Sequence, residues 1–144
     1  MSSTVDVNVL LYASDSSSGF HAKARELLDR LARGPDLLYL FWPVLLGYLR
    51  IATHPGIFPK PLSADRAVGN VDQLVALPHA RTPGEEPGFW EMYRATTSSV
   101  VVRGNAVPDA HLVALMRQNG VSTLWSHDRD FRRFEQIKVL DPFA

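Results

Sequence analysis

Four aspartates lie where apolar segments of the chain end or helical segments begin. Asp6 is near the start of the apolar stretch VDVNVLLYA, and Asp109 opens the helical stretch PDAHLVALMRQNG. Asp128 and Asp130 follow the apolar segment VSTLW. A carboxylate among apolar residues is costly to desolvate unless a cation or several hydrogen-bond donors meet it. Each aspartate therefore caps a helix or holds a metal ion, and for all but Asp6 the residue type and position alone favour capping.

The donor atoms available to a metal ion are oxygen and imidazole nitrogen, because the chain contains no cysteine. The five histidines, at positions 21, 54, 79, 111 and 127, share no spacing typical of metal ligands. We interpret His111 and His127 as surface or structural residues. Carboxylates suit a hard divalent cation such as Mg²⁺ or Mn²⁺, which commonly binds through carboxylates, water and substrate phosphate. A sparse acidic site therefore indicates phosphoryl chemistry.

A nucleic-acid partner would have to be bound by a local basic patch. The chain has 15 lysines and arginines against 15 aspartates and glutamates, so no overall positive field attracts a polyanion. The densest basic cluster is Arg129, Arg132 and Arg133, directly beside the candidate metal-binding acids. A solvated turn explains this cluster about as well as contact with RNA phosphates does.

The length and hydropathy of the chain indicate a soluble, cytoplasmic protein of one domain, residues 1–144. The longest uncharged run, Leu37 to Leu49, has 13 residues and contains Pro43. A membrane helix needs about 20 apolar residues. The N-terminal stretch MSSTVDVN also lacks the basic and apolar regions of a signal peptide.

Short apolar segments alternate with helical patterns along the chain. We predict strands near the N-terminus, at LLYLF, around Leu77 to Arg81, at VSTLW and at KVLDPF. The predicted helices are the apolar stretch after Asp6, FHAKARELLDRLARG, WPVLLGYLRIAT, the segment from Ser63 or Ala64 to about Ala76, FWEMYRATTSS and PDAHLVALMRQNG. This alternation predicts an α/β sandwich with a mainly parallel sheet. Ligands of such sheets bind at the carboxyl ends of the strands, near the point where the strand order reverses, which is where the aspartates fall.

Four stretches resemble PIN-domain ribonucleases, and more narrowly the VapC toxins of bacterial toxin–antitoxin pairs: DVNVLLYA, WPVLLGYLRIATHPGIF, GNAVPDAHLVAL and SHDRDFRRF. They occur in the family's order and span essentially the whole chain. The resemblance implies a PIN-like three-layer α/β/α sandwich and a metal-dependent endoribonuclease. Its acids would hold Mg²⁺ or Mn²⁺ around the scissile phosphate of an RNA of the transfer or ribosomal class. It also implies a homodimer that a small cognate antitoxin neutralises by occluding the site.

Carried over residue by residue, the resemblance assigns the acids of the site. Asp6 matches the first family acid and Asp109 the third, while the pair Asp128 and Asp130 matches the fourth. Asp128 is the preferred ligand of that pair because it lies nearer the end of the strand. Asn8 and Ser126 match polar positions that support the acids.

The remaining family acid is absent from the segment WPVLLGYLR. Where the family typically has a glutamate before an aromatic-Leu-Arg run, this chain has Gly47 followed by Tyr48, Leu49 and Arg50. Glycine inside a helix costs about 1 kcal/mol relative to alanine, so it calls for a reason. The alternatives are close packing, a natural departure in a weakened enzyme that binds antitoxin or RNA without efficient cleavage, and an inactivating change in a toxic nuclease.

Overall fold

A five-stranded, wholly parallel β-sheet lies at the centre of the structure, which is a computed structural model describing residues 1–144. The strand order is β3-β2-β1-β4-β5. The strands are β1 Ser2–Val5, β2 Leu37–Tyr39, β3 Ala80–Arg81, β4 Thr123–Trp125 and β5 Lys138–Leu140. Each adjacent pair is parallel. The predicted α/β/α architecture with a mainly parallel sheet is confirmed.

Six α-helices and one short 3₁₀ helix connect the strands. They are α1 Val7–Ala13, α2 His21–Arg33, α3 Trp42–Ala52, α4 Ala64–Val75, α5 Phe89–Thr96, α6 Ala106–Gln118 and the 3₁₀ helix Arg129–Arg133. Helix α1 packs against α2 and α3, and α6 packs against α5 and α3. None of the helices has the length and apolar character needed to cross a bilayer.

Local sequence signals explain where several helices begin and end. Helix α2 stops at Gly34, whose φ of 72° is in the left-handed region that glycine adopts without strain. Helix α3 carries Pro43 in its first turn, where a backbone N–H has no intrahelical partner. The side chain of Ser63 caps α4 by accepting the N–H of Arg66 at 3.1 Å.

Helix α6 begins earlier than the sequence pattern predicts. It starts at Ala106, with Asn105 at the N-cap position, so Pro108 lies inside the first turn. Proline is tolerated there because the first amides of a helix have no intrahelical acceptor. Asp109 consequently lies within the helix, and the interpretation of Asp109 as an N-cap is wrong.

The hydrophobic core is one cluster of 23 buried residues between the sheet and the helices. The two central strands supply Val5 and Leu124, and α6 is buried continuously from Leu112 to Met116. A helix that is apolar on all sides is typical of an interior position. Buried polar residues are few, and two of them, Asp6 and Ser126, directly follow β1 and β4.

The register between β1 and β4 aligns the residues that follow them. Val5 is paired with Trp125, so Asp6 and Ser126 each come one residue after a paired position. The N–H of Asp6 donates to the carbonyl of Trp125 at 3.0 Å. Because the strand order reverses at β1, this edge of the sheet is where parallel α/β folds bind ligands.

Candidate active site

Asp6 is a buried carboxylate between β1 and α1. It occupies the N-cap position of α1, but its side chain makes no capping hydrogen bond. Its carboxylate accepts the hydroxyl of Ser126 at 3.0 Å and is only 6% exposed. Burial raises the pKa of Asp6, the Ser126 hydroxyl opposes that rise, and the negative charge of Asp128 adds to it. The side chain of Asp6 is therefore held by Ser126 and not by a capping hydrogen bond, although the first backbone amides of α1 also lower its pKa.

Ser126 connects Asp6 with the loop that follows β4. Its hydroxyl donates to Asp6 Oδ2 and accepts the backbone N–H of Asp128, both at 3.0 Å. The side chain is almost completely buried, so both bonds are shielded from water. Ser126 therefore holds the Asp6 carboxylate and the backbone of Asp128 in a fixed relation.

The contacts of Asp128 and Asp130 distinguish the two residues. Asp128 Oδ1 accepts the backbone N–H of Asp130 at 2.9 Å, which caps the 3₁₀ helix as one interpretation predicted. The negative charge of Asp128 raises the pKa of both Asp6 and Asp109. Asp130 is exposed and raises only the pKa of Asp109, where its effect is the smallest. Asp128 is therefore the more central of the two acids.

Asp109 lies in the first turn of α6 and is half-buried. Its pKa is raised to about 6, first by burial and then by the negative charges of Asp6 and Asp128. The positive charge of Arg133 acts in the opposite direction. Carboxylates from three separate segments thus contribute to a single concentration of negative charge.

These acids fit a hard divalent cation by their chemistry, although they do not yet form a closed set of ligands. No three histidine, aspartate or glutamate side chains are close enough together to hold an ion as they stand. Like charges that share a site raise one another's pKa, and a cation between them would relieve that repulsion. All the available donors are carboxylate oxygens, the ligands that Mg²⁺ and Mn²⁺ prefer.

Two further positions assigned from the sequence lie next to this cluster. Asn8 is the second residue of α1; its side chain makes no hydrogen bond, but its backbone amide lowers the pKa of Asp6. Gly47 lies in α3, and a β-carbon there would meet only a methyl group of Val7, at 3.7 Å. Val7 directly follows Asp6, so position 47 faces the start of the cluster.

The basic and imidazole side chains beside the acids divide into two groups. Arg129, Arg132 and Arg133 are exposed on the 3₁₀ helix. His111 contacts Glu85 at 2.6 Å, and His127 contacts Asp141 at 2.9 Å. Both imidazoles thus have a carboxylate partner in the protein, as expected of structural residues. The three arginines are close together in the sequence and were predicted as one basic cluster. The 3₁₀ helix places them on different sides, which the sequence pattern does not indicate.

Comparisons with known proteins agree with this fold. A family model of the PIN domain matches residues 4–137. Ribonuclease VapC48 of Mycobacterium tuberculosis is 54% identical over 144 residues, covering 100% of this chain and 99% of that protein. VapBC2 from Rickettsia felis, solved bound to a promoter DNA fragment, matches at a TM-score of 0.70 and 12% identity, covering 97% and 98% of the two chains. VapC20 of M. tuberculosis, a toxin that cleaves the sarcin–ricin loop, matches at a TM-score of 0.66 and 17% identity, covering 91% and 93%.

The match of the family model over residues 4–137 shows that the chain belongs to the PIN-domain family, and the parallel sheet of this order fits that family. Within it, the chain is a member of the VapC ribonucleases, the toxins of VapBC pairs. Identity over the full length shows the membership, and the two solved structures show the fold.

The raised pKa of Asp109 predicts a pH-dependent effect on stability. Because the folded-state pKa is about 6 and the ordinary value is 3.8, the destabilisation from ionised Asp109 is absent below about pH 4, grows between pH 4 and 6, and is complete above pH 6. Asp109→Asn should therefore raise the free energy of unfolding of the metal-free protein at pH 8 by about 1–2 kcal/mol, or the melting temperature by about 3–6 °C. At pH 4 the gain should vanish. Thermal unfolding in a chelator checks this, with Asp29→Asn on α2 as the control that shows no such gain; an equal gain at both pH values would contradict it.

Proposed function

We propose that this VapC ribonuclease cleaves RNA endonucleolytically with Mg²⁺ or Mn²⁺ held by Asp6, Asp109 and Asp128. The observation that carries the proposal is that carboxylates from three separate segments, beside the edge of the sheet where the strand order reverses, lie near enough to raise one another's pKa. Their mutual repulsion, expressed in the raised pKa of Asp109, supports a cation-binding role. The RNA class, transfer or ribosomal, follows from the family resemblance alone.

The residues of the chain position the reaction. A divalent ion, when bound, supplies Lewis-acid polarisation of the phosphodiester and lowers the pKa of the attacking water. Ser126 fixes the orientation of the Asp6 carboxylate and the backbone of Asp128. Asp109 is held by the rigid, buried helix α6. The chain has no cysteine, and the proposed reaction is hydrolysis without a covalent protein intermediate.

Substitution of one aspartate at a time should distinguish the proposed metal ligands from a nearby aspartate that is not a ligand. Asp6→Asn, Asp109→Asn and Asp128→Asn should each weaken Mn²⁺ binding by about tenfold or more and remove RNA cleavage, because each deletes an anionic ligand. Asp130→Asn, the matched control two residues from Asp128, should change Mn²⁺ affinity by less than about threefold. Calorimetric Mn²⁺ titration and cleavage of total RNA measure both effects. Parental metal affinity in the Asp6 or Asp109 variant would show that the site is wrongly assigned.

We further propose that Gly47 is a weakened catalytic position. Its φ is not in the positive range, so the backbone does not require glycine. A β-carbon would make an ordinary van der Waals contact with Val7, so close packing does not require glycine either. Both observations support the alternative of an enzyme that has lost one of the carboxylates of its family.

Restoring a carboxylate at position 47 should strengthen the site. Gly47→Glu is expected to raise Mn²⁺ affinity and the cleavage rate by about tenfold, because it adds an anionic ligand beside Asp6. Gly47→Gln is the isosteric control: it gains the same helix propensity, about 0.5–1 kcal/mol, without the charge. Metal titration, RNA cleavage and thermal unfolding of both variants provide the comparison. Identical metal affinity in the two variants, or a loss of stability in both, would make position 47 structural.

A groove between α2 and α4 supports the proposed site for the cognate antitoxin. Its cavity volume is about 840 Å³. The apolar lining includes Leu28 and Leu74, and the basic lining includes Arg25, Lys60 and Arg66. We propose that an antitoxin segment with apolar and acidic residues binds here, because its charge complements this lining. The VapBC pairs that share the fold support a toxin–antitoxin partnership.

A separate apolar face on α3 supports the proposed homodimer. Trp42 and Leu46, one turn apart, are 42% and 59% exposed. The aromatic residues of α5 contribute less to such a face, since Phe89 and Tyr93 pack against the core while Trp90 is exposed and stacks on Tyr93. An exposed aromatic and aliphatic pair on a small domain is typical of a subunit interface.

Charge reversal in the groove should separate antitoxin binding from dimer formation. Arg66→Glu is expected to weaken antitoxin binding by about tenfold or more, because it places a like charge opposite the acidic segment. Light scattering should still give a mass of two chains for the variant alone, because Arg66 is not on the Trp42 face. Lys138→Glu, outside the groove, is the matched control and should bind antitoxin as the parent does. A monomer at high concentration, or equal binding by the two variants, would contradict the respective proposal.

A further inference from the structure

The 3₁₀ helix Arg129–Arg133 sorts its side chains into columns. In a 3₁₀ helix, residues three apart eclipse one another along the axis. Phe131 and Phe134 form the buried column, each 1% exposed. The remaining residues form two exposed columns, Arg129 with Arg132 and Asp130 with Arg133. Adjacent arginines of this segment therefore lie in different directions.

The two exposed columns lie toward different acids. The positive charge of Arg133 lowers the pKa of Asp109, on which its column neighbour Asp130 also acts. The positive charge of Arg132 instead lowers the pKa of Asp141, which is already paired with His127 at 2.9 Å. The eclipsed geometry puts Arg132 and Arg133 on different sides of the helix, and the two arginines accordingly act on different acids. Arg133 is thus the arginine of this helix that lies toward the candidate active site.

The guanidinium of Arg133 packs on an aromatic ring but has no acidic partner within the protein. It lies over the ring of Phe134, with the guanidinium carbon 5.5 Å from the ring centre. It forms no ion pair within 4.0 Å, since the ion pairs of the structure involve other residues. Contact with a buried aromatic ring restricts the side chain, while its exposed N–H groups can donate in the forked geometry that a phosphate accepts.

We propose that Arg133 is the residue that positions the scissile phosphate of the RNA against Asp109 and its neighbours. The inference rests on the proposed RNA cleavage and makes it more specific. Arg133 supplies a positive charge at the acidic cluster, where the aspartates would otherwise repel the RNA backbone. Arg129 and Arg132 lie on the other exposed column, and neither changes the pKa of Asp6 or Asp109.

Substitution of neighbouring arginines tests this assignment with an equal change of net charge. Arg133→Gln should lower kcat for RNA cleavage about a hundredfold and raise KM only several-fold, because a donor at the reacting phosphate acts more on the transition state than on the bound substrate. Arg133→Lys, which keeps the positive charge, should recover activity to within about tenfold of the parent. Arg132→Gln should lower kcat by less than about threefold. Arg33→Gln, at the end of α2, controls for the loss of any one positive charge.

Equilibrium binding gives a second measurement that does not depend on cleavage. Asp109→Asn serves as a background in which the acid whose pKa Arg133 lowers is neutral. In that background, Arg133→Gln should weaken binding of a fluorescent single-stranded RNA several-fold more than Arg132→Gln does, and should reduce the slope of log affinity against log salt by about one.

The results distinguish a failure of the role assigned to Arg133 from a failure of the proposed RNA cleavage. Equal loss of kcat in Arg133→Gln and Arg132→Gln, or equal loss of RNA affinity in the Asp109→Asn background, would overturn the role of Arg133. A parent that cleaves no RNA with either metal ion would overturn the proposed function, and the binding comparison would then decide on Arg133. If Arg133→Gln melts early through loss of the Phe134 contact, Arg133→Lys replaces it. Arg133→Lys should cleave RNA several-fold more slowly than the parent because lysine lacks the forked donors, and parental activity together with parental RNA affinity would overturn the role of Arg133.

Discussion

The parallel pairing of β1 with β4 holds the acidic site together. Its register places Asp6 beside Ser126, and the Ser126 hydroxyl joins the carboxylate of Asp6 to the backbone of Asp128. A one-residue shift in this register would move every side chain of β1 to the opposite face of the sheet. The core residues Val5 and Leu124 resist such a shift because both are completely buried. Packing of the interior therefore determines the geometry of the site.

The site carries an electrostatic cost that the rest of the fold has to offset. Burial and mutual repulsion raise the pKa values of Asp6 and Asp109, which means that the ionised protein is less stable than its packing would allow. The continuous burial of α6 from Leu112 to Met116 stabilises the helix that carries Asp109 and so offsets part of this electrostatic cost. Strained charge on a rigid element is a common arrangement in sites that bind cations.

Different surfaces of this small chain are suited to different partners. The acids lie at the carboxyl edge of the sheet, the basic groove lies between α2 and α4, and the exposed apolar pair Trp42 and Leu46 lies on α3. With no net charge, the chain attracts anions only where cations are concentrated locally. The same helix, α3, also carries Gly47 beside the acidic cluster, so it contributes to more than one of these surfaces.

Local signals were sufficient to predict most elements of the fold. Gly34, Pro43 and Ser63 act within one turn of themselves, and the alternation of apolar strands with helices predicted the parallel sheet. The strand predicted around Leu77 to Arg81 forms only at Ala80–Arg81, because strand length depends on a partner that is distant in the sequence. The resemblance of short stretches, which also depends on local sequence, was enough to indicate the family.

The sequence by itself therefore determined the fold class, the family and the set of candidate acids. Only the tertiary structure decided that Asp109 lies inside α6, that Asp128 is more central than Asp130, and that Arg133 and Arg132 lie toward different acids. It also showed that a β-carbon at Gly47 has room beside Val7. These relations join residues from separate segments, and their distances depend on strand register and helix packing. Neither quantity is encoded in the neighbouring residues of the chain.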